Sequence, residues 1–229
     1  PLIVQGTEEN PVLFTSREPL PLPGDWTNIH LAAEGNELTW VTYEWADDGI
    51  TGENASESTF SNFTIAGTLS LTANGVVLEE SNDLTFENCY LTIGGDHGIY
   101  ITEGDGSTFD LNTISGPGTN GIYATDCNDC VFSTNTISGP GTNGIYVTNG
   151  EDSSFTDNVI DDPGSYLIFS SNTENGVFTG NVLTGTGNGI YADNSEGSTV
   201  SDNVISTSGG NGIYMNSCDN CMFDNNEIT

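Results

Sequence analysis

The chain has 229 residues, of which 33 are acidic, with a single Arg17 and no Lys, for a formal net charge of −32. That balance argues against nucleic acid, anionic membranes and polyanionic glycans as partners, because each is held by Lys and Arg. Self-repulsion at this density has to be screened by salt or by bound cations, which fits a saline or calcium-rich exterior.

The first 73 residues are the less regular part, with long loops, the Pro-rich stretch Pro19-Leu20-Pro21-Leu22-Pro23 and all three tryptophans, Trp26, Trp40 and Trp45. Leu38 to Tyr43 reads as a strand flanked by Trp40 and Trp45, which either cover the edge of the stack or offer a ligand platform. Residues 74–229 make up that regular part and belong to the same domain. His97-Gly98-Ile99-Tyr100 is repeated as Asn120-Gly121-Ile122-Tyr123, Asn143-Gly144-Ile145-Tyr146, Tyr166-Leu167-Ile168-Phe169, Asn188-Gly189-Ile190-Tyr191 and Asn211-Gly212-Ile213-Tyr214. The step is 23 residues four times and 22 once. A fixed period in the low twenties is the signature of a stacked repeat.

A second marker, Phe-x-x-Asn-x-Ile, runs at the same period. Its Phe column is Phe86, Phe109, Phe132, Phe155, Phe178, Val200 and Phe223. Apolar residues alternate with polar ones over short runs, as in Ile99-Tyr100-Ile101, and Gly-rich loops such as Ser115-Gly116-Pro117-Gly118-Thr119 interrupt them. This is strand spacing, not helix spacing. The expected architecture is all-β: a single-domain parallel β-solenoid of about 23 residues and three short strands per coil. Successive coils are expected about 4.8 Å apart. Phe is expected at a corner of the cross-section. Asn112, Asn135, Asn158, Asn181, Asn203 and Asn226 should form a structural ladder of hydrogen-bonded amides that ends early at Cys89.

These repeats resemble the right-handed parallel β-helix of the pectin-lyase-like superfamily. The segments Leu2 to Ser16 and Pro23-Gly24-Asp25-Trp26 are similar to a stretch common in secreted β-helix surface proteins of bacteria and archaea. The resemblance implies right-handed coiling. It is specific for fold and poor for function, since the superfamily holds lyases, hydrolases, tailspikes and many non-catalytic proteins.

Three sets of residues are candidates for function. Tyr100, Tyr123, Tyr146, Phe169, Tyr191 and Tyr214 should point outward as an exposed aromatic stripe. Such a stripe is either a stabilising cross-strand stack or a contact surface for sugars or for another solenoid. Asp105, Asn128, Glu151, Glu174, Glu196 and Asp219 form an acidic row, read either as a solvated face or as a set of oxygen ligands for Ca²⁺. Asp105, Glu151, Glu174, Glu196 and Asp219 would be the metal ligands. Cys127, Cys130, Cys218 and Cys221 form two C-x-x-C pairs in the same loop column, roughly 19 Å apart. A shared four-cysteine zinc site is thereby excluded; two local disulfides, free thiols or a metal half-site remain.

His97 stands where other coils have Asn and reads as a turn residue. Asn54-Ala55-Ser56 and Asn62-Phe63-Thr64 are glycosylation sequons. No pair of carboxylates is legible across a common cleft, and Arg17 is the only basic candidate for lyase chemistry. The expectation is therefore a non-catalytic extracellular or cell-surface solenoid: a stalk, surface-layer or filament unit. The alternative is a glycan-binding or polysaccharide-cleaving β-helix. The chain begins and ends in mid-pattern, so expected partners are a second copy, head to tail or laterally, or flanking parts of a longer polypeptide. Neutral glycans are the further possibility.

Overall fold

The computed structural model describes residues 1–66 and 73–229. Among them the regular structure is entirely strand. Three parallel sheets run the length of the molecule, two of ten strands and one of nine. The boundary expected at 73/74 adjoins residues 67–72, which lie outside the described residues.

One coil illustrates the path. Asn120–Thr125 belongs to the sheet carrying the Gly-Ile-Tyr motif, here sheet III; Val131–Ser133 to sheet I; Thr136–Ser138 to sheet II. The next coil pairs in register, with Ile122 on Ile145, Tyr123 on Tyr146, Phe132 on Phe155 and Ile137 on Ile160. Register is fixed because a one-residue slip would turn every buried side chain outward.

The earliest strands, Ile3–Gln5 and Val12–Phe14, already belong to sheets I and II. The irregularity of the early part is thus confined to its loops. Leu38 to Tyr43 is not one strand but two, Glu37–Thr39 and Val41–Glu44, with Trp40 at φ 52° turning the corner between them. Trp40 heads a column of left-handed corner residues that continues through Asn62, Asn88, Leu111, Thr134, Asp157, Asp202 and Asn225. Trp26 packs on Tyr43, ring centroids 4.6 Å apart.

The Phe column occupies the middle of sheet I strands, not a corner. Phe60, Phe86, Phe109, Phe132, Phe155 and Phe178 are fully buried. From Phe60 to Phe178 consecutive rings are 4.7–5.4 Å apart and within 8° of parallel. Ring area stacked this way is the largest repeated apolar burial in the core.

The corner between sheets I and II belongs to Asn. Asn135 Nδ2 donates to the Phe109 carbonyl at 2.9 Å and to Asn158 Oδ1 at 3.0 Å, and its backbone N–H donates to that same oxygen. The unit recurs from Asn112 to Asn203, so both amide hydrogens and both acceptor lobes are used. Cys89 begins the ladder, its N–H donating to Asn112 Oδ1. It is the free cysteine, and burial pushes its thiol up to about 12.

The glycine of Asn-Gly-Ile-Tyr is required by close approach. A Cβ on Gly121 would sit 2.5 Å from Ile137 Cγ2 and 2.6 Å from the Gly144 carbonyl oxygen. The backbone there lies against both sheet II and the next coil, and no side chain fits.

Candidate functional site

Between sheet III and sheet I each coil makes a tight turn, and these turns build a groove. The first turn residue is Glu103, Asp126, Asn149, Asn172, Asn194 or Ser217, with φ between 49° and 53°. Asn and Asp tolerate this left-handed backbone better than other non-glycine residues. The second residue, such as Cys127, Thr173 or Ser195, is buried. The third points out again: Asn128, Glu151, Glu174 and Glu196.

The outward amides of the first row are chained. Asn149 Nδ2 donates to Asp126 Oδ1 at 2.7 Å, Asn172 Nδ2 to Asn149 Oδ1 at 2.8 Å, and Asn194 Nδ2 to Asn172 Oδ1 at 2.9 Å. Beside them Asn128 Oδ1 accepts the Glu151 N–H at 3.0 Å. Asn128, Asn149, Glu151, Asn172, Glu174, Asn194, Glu196 and Ser217 together line an open groove of about 420 Å³ that runs along the axis over five coils.

Three of the five carboxylates expected as Ca²⁺ ligands, Glu151, Glu174 and Glu196, meet in this groove, while Asp105 and Asp219 continue the same row beyond its lining. Among the described residues no three His, Cys, Asp or Glu side chains cluster closely enough to hold a metal ion. The carboxylates make a row and not a cage.

The Asn149, Asn172 and Asn194 row was not anticipated. A signal for it does exist in the chain: Asn-x-Glu occurs at 149–151, 172–174 and 194–196, always three residues after the stripe aromatic.

The aromatic stripe points outward as expected but is half-buried, with only Tyr214 reaching 40 % exposure. Its rings lie face to face, centroids 4.5–5.2 Å apart and within 9° of parallel. Each face inside the stack is covered by the next ring. Sugar stacking on ring faces is thereby closed off within the stripe, which presents ring edges and hydroxyls. Tyr166 and His97 lean onto it from the neighbouring Asn column. Tyr166 contacts Phe169 and Tyr191 edge-on, and His97 tilts against Tyr100 and Tyr123. His97 Nδ1 lies 3.1 Å from Asn120 Nδ2, a donor, so the ring accepts there and carries its proton on Nε2. Burial lowers the His97 pKa, opposed by Asp96.

The four paired cysteines form two disulfides, Cys127–Cys130 and Cys218–Cys221. Arg17 lies apart from the groove, in a separate cavity with Ser16, Glu18, Asp25 and Trp26.

Residues 48–203 match the family described as right handed beta helix region, and the chain belongs to that family. No curated protein matches the sequence. Among solved structures, a mutant of the periplasmic alginate epimerase AlgG is similar at TM-score 0.70 and 15% identity, over 85% of this chain and 50% of that one. The chain thus spans half the length of that epimerase. The mannuronan C-5 epimerase AlgE6 A-module of Azotobacter vinelandii is similar at TM-score 0.59 and 13% identity, over 95% of this chain and 88% of that one. A DFA-IIIase from Arthrobacter chlorophenolicus A6, without its lid, gives TM-score 0.57 and 12% identity, over 86% and 67%.

These likenesses are of fold. They nonetheless overturn the expectation of a non-catalytic chain. Several of the solenoids that this one matches are enzymes, so the lack of a legible catalytic constellation in the sequence does not argue against catalysis.

Proposed function

We propose that the chain is a polysaccharide-acting β-helix whose substrate lies along the Asn–Glu groove. The observation that carries this is the groove itself, in which an amide and a carboxylate recur together in each of its three central coils, with Asn128 and Ser217 at its ends. Amides offer donors and acceptors, carboxylates offer acceptors, and a sugar chain supplies complementary hydroxyls at a similar repeat. The polysaccharide-acting names among the fold relatives support the same reading.

The substrate class differs from theirs. A uronate polymer needs cationic partners, and the groove lining contains none. A neutral or amine-bearing polysaccharide fits the charge. The reaction class assigned is glycosidic-bond cleavage by paired carboxyl groups. Coil stacking puts the backbones of neighbouring Glu residues in the row about 4.8 Å apart, within reach of the roughly 5 Å carboxyl separation of retaining glycosidases. Glu174, in the middle, is assigned as one member of the pair, with Glu151 or Glu196 as its partner. Two disulfides and a periplasmic relative support a location outside the reducing cytosol.

The test is a panel of neutral and aminated polysaccharides, scored for binding by affinity electrophoresis and for cleavage by reducing-end release. Wild type should bind and cleave at least one; Glu174→Gln should retain binding and lose at least a hundredfold in turnover. Wild type that neither binds nor cleaves any of them overturns the proposal.

A further inference from the structure

The two disulfides stand at the two ends of the groove. Cys127 lies between Asp126 and Asn128, and Cys218 between Ser217 and Asp219; Asn128 and Ser217 are the terminal lining residues. The three coils between carry no cysteine in these columns.

Each disulfide-closed loop bonds the backbone at the adjacent end glutamate. On one side, Asn128 Oδ1 accepts the Glu151 N–H, and the Asp129 N–H donates to the Glu151 carbonyl at 2.9 Å. Glu151 is thus gripped through both backbone groups by the Cys127–Cys130 loop. On the other side, the Ser217 carbonyl accepts the Ser195 N–H at 3.1 Å, and the Asp219 carbonyl accepts the Gly197 N–H at 2.8 Å. Those two amides flank Glu196. The middle carboxylate, Glu174, touches neither disulfide loop and is bounded by its neighbours.

The solenoid itself does not need these bridges. The same columns hold Gly150 and Ser153, Thr173 and Gly176, and Ser195 and Ser198 in the intervening coils. There the serine hydroxyl serves: Ser153 Oγ donates to the Cys127 carbonyl at 2.7 Å, and Ser198 Oγ to the Thr173 carbonyl at 3.0 Å. Cys130 Sγ stands 3.1 Å from the Gly104 carbonyl, and Cys221 Sγ stands 3.0 Å from the Ser195 carbonyl. A thiol formed at either sulfur finds an acceptor already in place. Closing so short a loop also removes little chain entropy, so global stability rests elsewhere.

We propose that the two disulfides are clamps on the backbone at the end glutamates Glu151 and Glu196, and that loss of either bridge loosens its end of the groove while the solenoid stays folded. Cys127 and Cys130 are fully buried while Cys218 and Cys221 are partly exposed, so the Cys218–Cys221 end of the groove is the redox-responsive one; the proposal rests on the polysaccharide reading only for its consequence on affinity. In the reduction the Cys218–Cys221 S–S bond breaks and takes two electrons and two protons from a dithiol, which closes to its own disulfide. The Cys221 thiol donates to the Ser195 carbonyl.

The experiment compares wild type, Cys127→Ser/Cys130→Ser, Cys218→Ser/Cys221→Ser and dithiol-treated wild type, in which Cys218 and Cys221 should be the two thiols alkylated and counted by mass spectrometry. Amide exchange is followed without ligand. Loss of the first pair should speed exchange at Asp129 and Glu151 by tenfold or more, and loss of the second should do so at Ser195 and Gly197. The Phe132 and Phe155 strands should be unchanged and the melting point should move by only a few degrees. Where wild type binds a polysaccharide, either variant should weaken it by tenfold or more, and reoxidation of the reduced protein should restore it. Unchanged exchange at these four amides overturns the proposal, as does a general rise that includes the sheet I core. Local loosening in a protein that binds no polysaccharide leaves the clamps standing and removes the substrate reading instead.

Discussion

Asn135 offers both its backbone N–H and its Nδ2 to one oxygen, Asn158 Oδ1, at 3.0 Å each. A single side-chain atom thus satisfies two buried donors of the coil before it, while Asn158 Nδ2 reaches back to the Phe132 carbonyl at 2.9 Å. Replacing Asn158 by Leu leaves donors and acceptors on both sides unpaired and fully buried, at roughly 1–3 kcal/mol for each group. Asn158→Leu should cost about 4 kcal/mol or more. Asn226→Leu, at a half-buried rung where water can substitute, should cost about 1–2 kcal/mol. Equal shifts in denaturant midpoint for the two variants would remove the ladder as a source of stability.

Phe132 is stacked between Phe109 at 4.9 Å and Phe155 at 5.0 Å, all three fully buried. Phe132→Ala opens a cavity that neighbours in register cannot close, and should cost about 3–5 kcal/mol. Urea denaturation measures it. A loss under about 1 kcal/mol would mean that the coils collapse into the space.

His97 is neutral in the fold because Nδ1 accepts from Asn120 and burial disfavours the cation. Its folded pKa lies below the ordinary 6.5, so the unfolded chain takes up a proton first as pH falls. Stability contributed by neutral His97 is complete above about pH 6.5 and is lost progressively below it. The groups facing the ring are Asp96, Tyr100, Tyr123 and Asn120. His97→Asn, which restores the residue used in other coils, should flatten that part of the pH–stability curve. A curve of unchanged slope between about pH 6.5 and 5 would show that carboxylates alone set it.

Cys89 is fully buried and its thiol is pushed up to about 12, so the reactive thiolate is scarce at about pH 8. Iodoacetamide should leave Cys89 unmodified in native protein and modify it rapidly in denaturant. Native labelling on the minute scale would mean that the early end of the Asn ladder opens readily.

With a net charge of −32, the fold carries strong self-repulsion that salt screens. The melting point should climb steadily from low to physiological ionic strength. Because the groove carboxylates form a row and no metal cage is present among the described residues, calcium and sodium at matched ionic strength should raise it alike. A calcium-specific rise abolished by EDTA would reveal a cation bridge along Glu151, Glu174 and Glu196.

Most of the fold was legible because a repeat states the same physical constraint many times. Inward Ile and Phe, the corner Asn and the close-packed Gly each recur at one position per coil, and parallel in-register stacking is the arrangement that satisfies them all. The paired cysteines were legible as one of three options, since Cys127 and Cys130 share a turn. What failed was placement around the cross-section. Phe was expected at a corner and sits in mid-strand; Leu38 to Tyr43 was expected as one strand and bends at Trp40, because a left-handed tryptophan carries no local mark.

The sequence by itself determined the axial order, meaning which residue lies above which, since periodicity fixes that coordinate. Only the tertiary structure decided how neighbouring columns face one another. The turn between sheets III and I is concave, so the Asn149–Asn194 and Glu151–Glu196 rows converge on one groove. The stripe tyrosines instead spend their faces on each other. Convergence depends on the angle between sheets and on the shape of each turn, and no periodicity along the chain encodes either.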